Sequence, residues 1–541
     1  MLFRSNPIKA LPALAALAGI AFSPLGGPLG SPPALAQAAD QKLGKVHFET
    51  SCSPEAAAAF DRGMLYQHSF WYRASQRAFE EALKADPACG IAYWGIALSL
   101  LWNPHSAPPA KNLAEGAAAI AKGQRAGTKT ERERDYLAAL SAMYADHEKV
   151  DHRTRVLNYV KAMEQLAAKY PDDDEAQIYH GLALNVGASP ADKTYANQLK
   201  GAAILEKIWD RQPDHPGIAH YLIHLYDTPA LAEKGLRAAR LYAKVAPDAP
   251  HALHMPSHIF TRVGYWRESI DSNIASARAA RADKEAQDQL HAMDYQVYAY
   301  LQLGQDARAK AVIDEMLTVS GFSETYPAAP FAMAASPARY AVERGDWKAA
   351  AALEVRPTPQ PYVTAITWFA KALGAARSGD ETQARIAIVR LTEARDQLHE
   401  KKDAYWSEQV DIQSKTATAW VHFSGGQKDE GLALMQAAAD AEDKTDKHPV
   451  TPGPLAPARE LYGAMLLLHG KATEALTAFE TTLRKEPNRL NTILGAAHAA
   501  AATGDTVKAR HYYEAVMALA SGEGVDRPEI TQARAFLAGV R

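Results

Sequence analysis

With two cysteines in 541 residues, this chain has no CxxC pair for redox or zinc work and no CxxCH for haem attachment. Charge of one sign is equally scarce. Lys and Arg total 59 against 62 Asp and Glu, a net charge of −3, and no Lys/Arg-rich cluster occurs. That argues against nucleic acid or an anionic membrane as the main partner. Stretches of alternating apolar and polar residues, the strand signal, are nearly absent, so the class is all-α. Enzyme signatures are missing too. The sequence holds no GxSxG elbow, Walker loop, dinucleotide fingerprint or HExxH zinc motif, and the chain is read as a non-enzyme.

One apolar run, Leu11 to Phe22, has secretory length. Arg4 and Lys9 precede it, and a Pro/Gly-rich stretch leads to the small residues Ala34 to Ala36. This is the pattern of a cleavable signal peptide over residues 1–36, with Ala38 as a second cleavage point. The run is too short and too Gly-interrupted for stable membrane insertion, and no cysteine at the cut offers a lipid anchor. A bacterial periplasmic or secreted protein is expected. In an oxidising compartment Cys52 and Cys89 invite a disulfide. Cys52 precedes a helix that Ser53 caps and Pro54 begins, and Cys89 precedes the helix of GIAYWGIALSLL. Both therefore sit at the same end of parallel helices in adjacent repeats.

Amphipathic, alanine-rich segments of helical period alternate with short turns marked by Pro, Gly and Asp. FDRGMLYQHSFWYRASQRAFEEALKADP carries Gly63, Tyr66, Phe79, Ala82 and Pro87. RELYGAMLLLHGKATEALTAFETTLRKEPN repeats the scheme with Gly463, Ala475, Phe479 and Pro487, and a further copy has Gly504, Asp505, Ala509 and Tyr513. These segments resemble tetratricopeptide (TPR) repeats. The resemblance implies a helix-turn-helix solenoid wound into a right-handed superhelix, built of stacked units that bury apolar stripes only against neighbours. The middle of the chain keeps the turns and stripes but loses several signature positions. A Pro-rich break at residues 443–457, read as a hinge, separates an amino-terminal and central array (45–442) from carboxy-terminal repeats (455–541).

Histidine is where the sequence departs from a plain scaffold. His220/His224 and His254/His258 are i,i+4 pairs, so each pair shares a helix face. The pairs are offset by 34 residues, the TPR period, and Pro213 and Pro247 repeat the same offset. On the next unit the corresponding face carries His291, Asp294 and Tyr298. Asp227, His251, Thr261 and Arg262 complete the set. By resemblance to TPR proteins, this face lines a concave groove that engages a protein or peptide ligand. Four imidazoles from adjacent repeats, His220, His224, His254 and His258, also suit a divalent metal: zinc, copper or nickel, with Asp227 or Asp294 as a further ligand or second partner. A binding groove and a metal site thus stand as alternatives, beside incidental packing. A third reading makes the clustered imidazoles a pH sensor that loosens in acid. Pro256, inside the second pair, either kinks its helix or starts it, and only the first preserves i,i+4 geometry.

Elsewhere the plain explanation is preferred. His68 is taken as a structural histidine beside Trp71 and Tyr72. The run Asp172 to Glu175 is read as carboxylates complementing a helix amino terminus.

Overall fold

A computed structural model describes residues 41–522, Val525 and residues 527–539. The expected signal peptide lies outside the described residues. Among them there is no strand, and no helix is long and apolar enough to cross a membrane. Antiparallel helical hairpins follow one another from Pro54–His68 on Tyr72–Ala85 to Thr506–Leu519 on Pro528–Gly539. The fold is the all-α, TPR-like array that the sequence leads one to expect.

Local chemistry starts the helices. Ser53 accepts the Ala56 amide ahead of Pro54, Thr130 and Glu133 form a reciprocal capping box, and Asp505 accepts from Lys508. Glycine sets their spacing. A Cβ on Gly63 or Gly95 would lie 2.7 or 2.5 Å from the Phe79 ring, so two helices close on one phenyl group that is wholly buried. The construction recurs near the other end, where Phe479 fills the space between Gly463 and Gly495. Burying such a ring is worth about 1.5–3 kcal/mol. Cys52 and Cys89 are joined by a disulfide, with Cα atoms 4.9 Å apart, directly before the helices Pro54–His68 and Ala92–Leu100.

The described residues from Lys42 onward form one compact unit, because the array curls back on itself. Trp266 Nε1 donates to the Asn488 carbonyl at 2.8 Å. Buried Arg489 reaches Glu343, Glu460 and the Tyr298 hydroxyl, and Arg527 pairs with Asp306. The Pro-rich residues 443–457, read above as a hinge, are instead tied across the array. Lys447 Nζ lies 3.1 Å from Asp227, Tyr295 donates toward the Pro449 and Thr451 carbonyls, and Arg339 donates to the Pro454 carbonyl at 2.9 Å. Proline-rich backbone has few N–H groups, so its carbonyls need donors from elsewhere, and these side chains supply them.

Candidate functional site

Three successive repeats bring six histidines together. Helix Pro216–Tyr226 carries His220 and His224. The next unit runs as Pro250–His254 and Pro256–Arg262, and carries His251, His254 and His258. Helix Ala286–Gln302 carries His291. Met255 between the two short helices is itself in the right-handed helical region. Pro256 thus interrupts the hydrogen-bond ladder without turning the chain, and the His254/His258 pair keeps its shared face.

The six imidazoles form two triads, His220/His224/His251 and His254/His258/His291, in each of which one donor nitrogen per ring lies within 4.8 Å of the others. Within the first, His220 Nε2 is 3.2 Å from both His224 Nε2 and His251 Nε2. Within the second, His254 Nε2 and His258 Nε2 are 3.0 Å apart. His220, His224, His254 and His258 are buried, while His251 and His291 are partly so. Burial first, then the neighbouring imidazoles, pushes His220 down to about 3. The same causes hold His224, His251 and His254 well below the ordinary imidazole value. Burial likewise favours the neutral form of His258 and His291.

Hydrogen bonds on the far side of three rings decide which nitrogen carries the proton. His220 Nδ1 lies 2.7 Å from the His68 carbonyl, which can only accept. His258 Nδ1 lies 2.9 Å from Asp227 Oδ2. His254 Nδ1 lies 2.6 Å from Asn273 Oδ1, and Asn273 is oriented by its own donation to the Ser269 carbonyl at 2.7 Å. Each Nδ1 therefore holds the hydrogen, and each Nε2 presents a lone pair. The consequence is sharpest for His254 and His258: two lone pairs face each other across 3.0 Å.

Asp227 anchors this arrangement. Besides His258, it accepts from Arg262 Nε at 2.8 Å and Lys447 Nζ at 3.1 Å. Burial alone would raise its carboxyl, but these two cations hold it well below the usual carboxylate range. Burial in turn lowers Lys447 to about 8, against the pull of Asp227.

Two expected residues lie apart from the histidines. Asp294 accepts from the Ser336 hydroxyl at 2.9 Å and faces Arg339 at 4.0 Å; burial, partly offset by Arg339, raises it to about 6. Tyr298 packs under Arg339 and Arg489. The residue that accompanies His291 is Tyr295, one helical turn on, with its ring 4.8 Å from His254 and 5.2 Å from His258. Asp294, three residues on, rotates to the other side of His291 from Tyr295, and Tyr298, seven residues on, keeps the face but lies two turns, about 10 Å, further along the axis.

Other neighbours escape sequence reading. Phe70, in the left-handed region at φ 53°, packs its ring on His220, His224 and His251 at 4.3–5.7 Å. His105, from the loop before helix Ala110–Ala126, sits 4.6 Å from the His224 ring. Lys447 and His105 lie in Pro-containing loops with no periodic signal; Tyr295 was legible as the i+4 partner of His291. His68, expected beside Trp71 and Tyr72, is buried in a third group of metal-capable side chains with Glu175 and His215. Its ring bonds Tyr221 and Glu175, and Glu175 also accepts from His215 at 2.8 Å. Of the acidic run, Asp173 does cap a helix, but Glu175 turns inward to these histidines.

No family model and no curated protein matches this sequence. Among solved structures, it is similar to yeast Tom70 (12% identity, 90% of this chain and 96% of that one, TM-score 0.28). It is also similar to the TPR domain of P58(IPK) (15%, 68% and 99%, TM-score 0.22). A third likeness is to the human IFIT1 dimer with m7Gppp-AAAA (12%, 88% and 97%, TM-score 0.32). Likenesses at this level say nothing of the histidine cluster.

Proposed function

We propose that this chain is an exported helical-repeat protein whose function is to hold a late first-row transition metal (zinc, copper or nickel) on buried imidazoles. The observation that carries this reading is the pair His254 Nε2 and His258 Nε2, 3.0 Å apart, with both protons committed to Nδ1 by Asn273 and Asp227. Two neutral acceptors at that distance repel unless a Lewis acid lies between them. Burial disfavours a second proton on either ring, so a metal cation is the species that satisfies both. A tetrahedral ion with bonds of about 2.0–2.1 Å places its ligand nitrogens roughly 3.3 Å apart, close to the 3.0–3.2 Å separations here. Imidazole donors suit zinc, copper and nickel. The Asp227, Asn273 and His68 carbonyl contacts are the outer partners that orient metal-bound histidines.

A peptide ligand on this face would have to displace Lys447 and residues 449–454, which the chain itself packs there. The metal reading therefore ranks first. Elemental analysis of protein purified without chelator or His-tag tests it, beside a His254→Gln/His258→Gln variant. Zinc, copper or nickel bound to the native chain and lost from the variant is expected. Native protein that carries none of them, and takes up none when each is added, would overturn the proposal.

A further inference from the structure

We propose that the two triads act as one dinuclear centre whose ions share a small exogenous anion, such as hydroxide, in contact with His105. This rests on the metal reading above and extends it.

The triads are not independent. His224 of one and His258 of the other have ring centroids 5.9 Å apart, and His251 and His254 are 6.1 Å apart. Rings from the two triads thus pack against one another, as they would in a two-metal site, where the ions lie roughly 3.5–4 Å apart. Three nitrogens leave each ion short of four ligands. Among the described residues the carboxylate bonded to a triad ring is already committed: Asp227 Oδ2 to His258 and Lys447, Oδ1 to Arg262. An exogenous atom then completes the bridge. Charge selects its sign. Two divalent ions on six neutral rings, with Lys447 and Arg262 exceeding Asp227 by one, form a strongly positive buried set. Such a set is stabilised by an anion. Two buried polar atoms in this neighbourhood lack a partner. His105 Nε2 is buried with no hydrogen-bond partner, its ring 4.6 Å from His224, and Arg262 Nη1 is likewise unpartnered. His105 belongs to neither triad, so its imidazole is free to contact a ligand rather than a metal.

Copper(II) titration with spin counting tests this, with azide as the anion probe. The native chain, stripped of metal and reloaded, should bind two copper ions whose magnetic resonance signal integrates to well under half the copper present. A shared bridging atom couples the two unpaired electrons. One azide should bind per copper pair. His251→Ala should leave one ion with a full signal. His105→Ala should keep both ions and weaken azide about tenfold, the scale of one lost hydrogen bond to a charged group. Two ions with full signal, or one ion only, would overturn the dinuclear proposal while leaving metal binding intact. Unaltered azide affinity in His105→Ala would overturn the role of His105. Failure to bind copper, zinc or nickel at all would instead refute the underlying metal reading.

Discussion

Replacing Asp227 with asparagine is the sharpest test of how the site is held. In the folded chain this carboxylate is the shared counter-ion of Arg262 at 2.8 Å and Lys447 at 3.1 Å, whose side chains are 1% and 3% exposed. Asparagine keeps the shape and one acceptor but removes the charge, leaving two buried cations without their nearest counter-ion. Breaking a buried pair in this way costs about 3–5 kcal/mol. In an array that opens locally, such a loss appears in the region concerned before the whole chain unfolds. Hydrogen exchange of helices Pro216–Tyr226 and Pro256–Arg262 should therefore lose protection by roughly a thousandfold, taking 1.4 kcal/mol per factor of ten. Helices near Phe479 should be unaffected. Adding Lys447→Met removes one of the stranded cations, so the double variant should regain about 1–3 kcal/mol relative to Asp227→Asn alone. A loss under about 1 kcal/mol, or a double variant weaker than the single one, would refute this account of Asp227.

Three further outcomes follow from the same geometry. In metal-free protein the buried histidines have depressed values, His220 at about 3, so folding favours their neutral form. The stability is complete above the unfolded value near 6.5 and falls as pH drops below it, by about 1.4 kcal/mol per unit for each such ring; equal urea midpoints at pH 7.5 and 5.5 would refute this. Replacing Cys52 and Cys89 by serine opens a loop of sequence separation 37 and should cost about 4 kcal/mol in the chain-entropy picture, seen as early melting of the amino-terminal repeats. A change under 1 kcal/mol would count against the staple. Gly95→Ala puts a methyl group 2.5 Å from the Phe79 ring and should cost about 1–3 kcal/mol. Phe79→Leu on top should cost less than its effect in the native background, and strict additivity would contradict direct contact.

Periodicity carried the fold class, the hairpin register, the disulfide partners and the clustering of the histidine pairs. Those features depend on what lies three, four or 34 residues away, and the chain writes such intervals openly. The glycine-flanked phenylalanines at 79 and 479 belong to the same class, since one repeat defines its own closest approach. Asp294 and Tyr298 marked the limit of the method. They share a helix with His291 yet meet Arg339 and Arg489, because which neighbour packs at each turn along a helix is decided by distant parts of the chain.

Residues 443–457 marked a deeper limit. Proline density suggested a hinge, and composition carries no record of a lysine meeting a carboxylate 220 positions away. The protonation pattern of the histidines was equally hidden, since it depends on a carbonyl at His68 and an amide at Asn273. Sequence by itself determined that repeated helices would bring imidazoles to one face. Only the tertiary structure decided that the face would be closed over by the chain's own loop and its lone pairs turned inward on each other. The physical reason is that helix period is a local property of the backbone, whereas burial, charge pairing and tautomer are set by whichever distant groups share the same enclosed volume.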